Sequence, residues 1–125
     1  MQANYDSHPL DLSYLIQMVG QDPGFMIEVF DTFINQTPFY IAELEDAISI
    51  RDWDRVANCA HKIKPTFSYI GRKDVKEVVE RIEHNACHKH SQKDIETDLK
   101  VLKQTIKGIY LQLEHEKRDL LRNLY

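Results

Sequence analysis

A chain of 125 residues, 42% hydrophobic and 29% charged, is long enough for one domain around one core and too apolar to be disordered. A net charge of -4 and a pI of about 5.8 argue against nucleic acid as the main partner, since a phosphate backbone needs a clustered basic footprint. Four glycines and four prolines supply few turns for an all-β fold, and no apolar run nears the ~18 residues that span a bilayer. The start, Met1 to Asp6, lacks the basic and apolar segments of a secretory peptide. Two distant cysteines, Cys59 and Cys87, make no disulfide framework and suit a reducing, cytoplasmic setting.

The chain reads as helices separated by short breaks. A short first helix, Asp11 to Val19, is apolar on most sides and ends at Gly20. Asp22-Pro23 opens a second helix, with Asp as N-cap and Pro at the first helical position. Its apolar positions Phe25, Met26, Val29, Phe30, Phe33, Ile34, Ile41, Leu44 and Ile48 keep one helical phase. Pro38 interrupts that run without shifting the phase, which predicts a kinked but continuous helix.

The third helix runs from about Asp52 or Trp53 to Ile70 and closes at Gly71, burying Trp53, Val56, Ala60, Ile63, Phe67 and Ile70. The fourth spans about Lys73 to Asn85, with Val75, Val78, Val79, Ile82 and Ala86 inside. Ser91 to Asp94 resembles a capping box and starts the last helix, which carries Ile95, Leu99, Leu102, Ile106, Ile109, Leu113, Leu120 and Leu124. The expected architecture is all-α: an antiparallel four-helix bundle with a short N-terminal capping helix, in one domain over residues 1–125.

On a wheel of about 100° per residue, His61 points ~130° away from the apolar stripe of the third helix. Asp54, Ala57, Asn58, Lys64, Pro65, Ser68 and Arg72 share its face. Ala57, Pro65 and Ser68 are small and leave the imidazole open, unlike the setting of a core histidine. Lys64 lies one turn on, at i+3, where side chains meet. Its charge disfavours protonation of imidazole, preserving a nucleophilic lone pair, and it can pair with an attached phosphoryl group. Arg55, Lys62, Arg72 and Lys73 are expected to extend positive charge along this side and steer an acidic partner. Tyr69 belongs to the same surface. Leu12 and Ile16 on the first helix, with Leu15 and Val19, are expected to leave apolar area exposed beside His61 as a docking patch.

Ala60-His61-Lys62-Ile63-Lys64-Pro65-Thr66-Phe67-Ser68-Tyr69-Ile70-Gly71 resembles the signature of histidine-containing phosphotransfer (HPt) domains. That signature has Ala-His, a Lys three residues later, a small residue near i+7 and Gly at i+10. The likeness extends to Asp52-Trp53 and to the helix order. It implies that His61 accepts phosphoryl from the aspartate of one receiver domain and donates it to another, with Lys64 as supporting cation. It also implies response-regulator receiver domains and a hybrid histidine kinase as partners. Where the family has Gly after the lysine, Pro65 stands here, compact but lacking an N–H and crowding the carbonyl of residue 61.

The sequence holds no Gly-rich phosphate loop, nucleotide motif or nucleophile with base and orienter, so an autonomous enzyme is not expected. Phosphoryl transfer needs charge neutralisation, so Mg²⁺ is expected from the receiver, with no cofactor held by this chain. A rival reading comes from His84, Cys87, His88 and His90. His84 and His88 are i, i+4, a metal-ligand spacing, which admits a metal-binding bundle. Against it, no second pair at ligand spacing completes a site, and histidines at a helix C-terminus also suit the helix dipole. A purely structural interaction module is the third reading. A monomer is expected, and Met1 favours a stand-alone chain.

Overall fold

The computed structural model describes residues 9–89 and 92–124. Five helices follow in order: α1 (Ser13–Val19), α2 (Pro23–Ser49), α3 (Trp53–Tyr69), α4 (Lys73–Cys87) and α5 (Gln92–Leu124). From α2 to α5 each helix packs beside the next, and α5 returns to α2, closing an antiparallel four-helix ring with α1 laid against α3. Phe30, Leu44, Val56, Phe67, Val79, Ile82, Leu102 and Ile109 fill its centre with no measurable exposure. Phe33 sits edge-on to both Phe67 and Tyr110, at 5.9 and 6.2 Å between ring centroids. Trp53, predicted inside, is only half-buried.

The expected N-cap of α2 holds, and Asp52, at the expected start of α3, caps that helix too. Asp22 accepts from the Phe25 N–H at 3.3 Å and Asp52 from the Arg55 N–H at 3.2 Å. Helix α2 runs unbroken through Pro38, as its apolar phase predicts. Helix α1 starts two residues later than expected. Asp11 stands ahead of it, its carboxylate accepting from the Ser13 N–H and its own N–H bonded to the carbonyl of Ile70, both at 3.0 Å.

The loops around α3 share one construction. At each, a left-handed residue ends a helix, and the next residue caps the following one. After α2 these are Arg51, at φ 59°, and Asp52; the Arg51 and Asp52 N–H groups bond back to Ile48 and Ala47. After α3 they are Gly71, at φ 72°, and Arg72, bonded back to Ser68 and Phe67. Glycine is needed at the second for another reason too: a Cβ there would stand 2.5 Å from the Asp11 backbone.

This loop overturns the placement of Arg72. Rather than facing solvent beside His61, it is 1% exposed. Its Nε and Nη2 donate to the two Asp74 oxygens and its Nη1 to Gln112 on α5, each at 3.0 Å. The helical wheel stops applying at Gly71, where α3 has already ended. The patch expected from Leu12, Leu15, Ile16 and Val19 is smaller than the sequence suggests. Leu15 is buried, and Leu12, Ile16 and Val19 are half-buried against the core. The apolar side chains α1 leaves exposed are Tyr14 and Met18. Ser91 and His90 lie outside the described residues.

Candidate functional site

His61 occupies the outer face of α3, its side chain 72% exposed. The α3 stripe that buries Val56, Ile63 and Phe67 forces this orientation, since His61 lies on the other side of the same helix. Facing it from α4 is Glu83, carried beside the buried Ile82. One Glu83 oxygen lies 2.9 Å from His61 Nδ1, and the other accepts from Lys64 Nζ at 2.8 Å. One carboxylate thus joins the two residues that the sequence motif pairs.

A carboxylate only accepts hydrogen bonds, so the nitrogen facing it carries the proton. Nδ1–H is therefore the donor, and in the neutral ring Nε2 holds the lone pair. No hydrogen bond from Nε2 is found among the described residues. The arrangement presents one defined nucleophilic nitrogen outward.

Burial works to raise the Glu83 carboxyl, but hydrogen bonds from Lys64 and His61 and their charges outweigh it, and the group sits below its ordinary range. Lys64 moves upward, chiefly through its hydrogen bond to Glu83. The sequence argument had Lys64 acting directly on the imidazole and on an attached phosphoryl group. In the structure its direct partner is Glu83, which stands between the two.

Glu83 is the residue that sequence reasoning missed. It lies 22 positions from His61, so no local spacing joins them. A signal did exist: the α4 stripe of Val79, Ile82 and Ala86 sets Glu83 on its flank, level with His61 once the tight Gly71 turn fixes the hairpin.

Pro65, Ser68 and Tyr69 line one hollow of about 280 Å³, together with Lys64, Tyr14 and Lys76. Tyr14 and Tyr69 stack across the α1–α3 junction, 5.8 Å apart and 15° from parallel. Tyr14 and Lys76 complete a surface that the motif showed only in part. Asn58 is exposed and Ala57 half-buried on the same α3 face.

The expected basic side is largely neutralised. Arg55 bonds Asp46 at 3.0 Å, Lys62 lies 3.9 Å from Glu43, and Arg72 is buried. The His84 and His88 rings lie 4.4 Å apart, as i, i+4 predicts, and Cys87 is exposed. No three potential ligands stand together among the described residues, so the metal-binding alternative gains no support. Nor, among those residues, is any helix long and apolar enough to cross a membrane.

No curated protein and no solved structure matches the chain. The family model described as Hpt domain matches residues 28–120. The match begins within the first turns of α2, ends near the close of α5 and covers well over half of the sequence. On the strength of that span, the chain belongs to the histidine-containing phosphotransfer (Hpt) domain family.

Proposed function

We propose that this protein is a phosphorelay intermediate in which His61 accepts a phosphoryl group from a receiver-domain aspartate and passes it to a second receiver. Hpt domains act in histidine phosphotransfer as carriers of the group. The observation that carries the assignment to this residue is the Glu83 contact, which leaves Nε2 as the free nucleophile on an exposed face.

The chemistry follows from that geometry. The Nε2 lone pair attacks phosphorus, a new N–P bond forms, and the P–O bond to the receiver aspartate breaks, releasing its carboxylate. The ring then holds Nδ1–H and the phosphoryl group together and carries positive charge. Glu83 lies in contact with that charge and offsets it. Lys64, already turned toward the site, stands within one helical turn of the transferred group. Transfer to the next receiver reverses the bond changes. Mg²⁺ and the acidic residues that bind it belong to the receiver, which supplies charge neutralisation at the phosphoryl oxygens.

The receiver docks on the α3 face bounded by Ala57, Asn58, Pro65, Ser68 and Tyr69, extended by Tyr14 and Lys76. Pro65 is exposed there, so its ring faces the partner and not the core. A hybrid histidine kinase is the source of the relay, and the chain works as a cytoplasmic monomer.

Incubation with phosphorylated receiver domain, followed by detection of acid-labile phosphate, tests the reading. His61→Gln should fold normally, because exposed polar exchanges usually change stability by less than about 0.5 kcal/mol. It should lose all label with the other histidines in place. Undiminished labelling of that variant rejects His61 as the acceptor.

A further inference from the structure

Between α2 and α3, on the opposite flank of α3 from Glu83, lies a groove of about 390 Å³. Five aromatic rings line it: Phe25, Phe30 and Phe33 from α2, Tyr40 further along, and Tyr69 from α3. Phe33 is buried, while Phe25 and Tyr69 stand exposed at the walls. Such a volume, apolar with a few placed polar groups, is the ordinary form of a small-molecule site.

The second observation is Thr37. It lines the groove, is 2% exposed, and is with Arg72 one of two buried polar or charged side chains among the described residues. Arg72 is fully engaged by Asp74 and Gln112. The Thr37 hydroxyl makes no hydrogen bond among those residues, although Thr32 and Thr97 on similar helices each donate to the carbonyl four residues back. A buried hydroxyl without a partner is costly and is normally satisfied by something. The groove is the space from which a partner can reach it.

We infer that the α2–α3 groove is a binding site for a small planar aromatic molecule that hydrogen-bonds Thr37 through a hydroxyl or carbonyl at its buried end. The ring lies among Phe25, Phe33, Tyr40 and Tyr69, where offset and edge contacts favour aromatic over aliphatic occupants. Tyr40 at the wall is held by its hydroxyl, which donates to Gln36 at 3.2 Å, so its ring face is already set for an occupant. Lys62 stands at the rim, next in sequence to His61, so an occupant borders the approach to the histidine. That last consequence rests on the phosphotransfer reading. The binding itself does not.

The test uses two probes of nearly equal shape, phenol and toluene, titrated into the full chain and followed by amide chemical shifts. Phenol should give saturable shifts confined to residues around Thr37, Phe33 and Tyr69. Toluene, lacking the hydroxyl, should bind about fivefold more weakly, the worth of one net hydrogen bond. Thr37→Val should remove the difference between the probes and should not lower the melting temperature, since the hydroxyl it deletes has no partner in the fold. A marked fall in melting temperature would mean that the hydroxyl is satisfied internally and would overturn the inference. So would equal affinity for the two probes, no saturable shift with phenol, or shifts of the same residues on raising protein concentration alone, which would identify a second copy as the occupant. Labelling of His61 is not part of the readout, so failure here leaves the phosphotransfer reading untouched.

Discussion

Glu83 holds His61 by the Nδ1 edge, at 2.9 Å, and by no other atom. Removing the carboxylate should therefore release the tautomer and leave the ring itself in place. In Glu83→Ala, imidazole nitrogen shifts at mildly alkaline pH should show His61 divided between its two neutral forms. Labelling by phosphorylated receiver should slow about tenfold, or ~1.4 kcal/mol of barrier. An unchanged tautomer with an unchanged rate would remove Glu83 from the mechanism.

The same carboxylate predicts a pH signature in stability. Its folded value lies below the ordinary ~4.3 of a free Glu, so its contribution is present above that value and is lost as pH falls through the lowered one. Lys64 shifts the other way, above the ordinary ~10.4, so its share is present below that value and is lost as pH rises through the raised one. Between these limits the pair should be insensitive to pH. The gap in melting temperature between wild type and Glu83→Gln should accordingly narrow below about pH 4. A constant gap down to pH 2 would show that the ionised carboxylate contributes nothing.

Arg72 belongs to the fold, and its variants should report on stability first. Arg72→Ala removes the guanidinium bonds to Asp74 and Gln112 from a buried position and should cost about 2–4 kcal/mol in urea denaturation. Lysine should not restore this, because it cannot make the paired contacts of a guanidinium fork. A loss under about 0.5 kcal/mol, the usual range of a surface substitution, would return Arg72 to the docking face.

Two glycines with positive φ separate conformational strain from steric contact. Gly20, at φ 80°, has nothing within 4 Å of an added Cβ, whereas at Gly71, at φ 72°, that atom would meet Asp11 at 2.5 Å. Gly20→Ala should cost about 1–3 kcal/mol from backbone strain alone, since φ 80° with ψ -172° is a region essentially confined to glycine. Gly71→Ala should cost more and should break the Asp11 to Ile70 hydrogen bond, exposing the Asp11 amide to exchange. An Asp11 amide that exchanges no faster in Gly71→Ala would show that α1 is not seated on the turn.

The bundle was legible because its cues are local. Asp22-Pro23 and Asp52 mark helix starts by groups that act within three residues, and the apolar phase of α2 carried through Pro38. The histidine face was legible for the same reason: one helix and one rotation angle suffice to set it opposite Ile63 and Phe67. What failed was extrapolation across a break. Arg72 projects onto the His61 face only if α3 continues, and at Gly71 the chain leaves the helical path. Glu83 was invisible for the complementary reason, since its contact exists only after two helices have settled their mutual register. Leu12 and Ile16 show a third limit. An all-round apolar helix does not say which side the core will take, and here Leu15 leads inward while Tyr14 remains outside.

The turn at residues 70–72 has a consequence for how the site endures. It joins α3 to α4 through three residues, so His61, Lys64 and Glu83 all belong to one helical hairpin whose halves pack on each other. Closing so short a loop carries little entropic cost, and local opening tends to follow such supersecondary units. The amides of α3 and α4 that flank the three residues should then rank among the slowest in the molecule to exchange with deuterium, and those of α1 among the fastest. The reactive face is thus carried by a unit that can stay closed while α1 opens, so breathing of the N-terminal helix alters what a partner meets around His61 without disturbing the carboxylate that aims it.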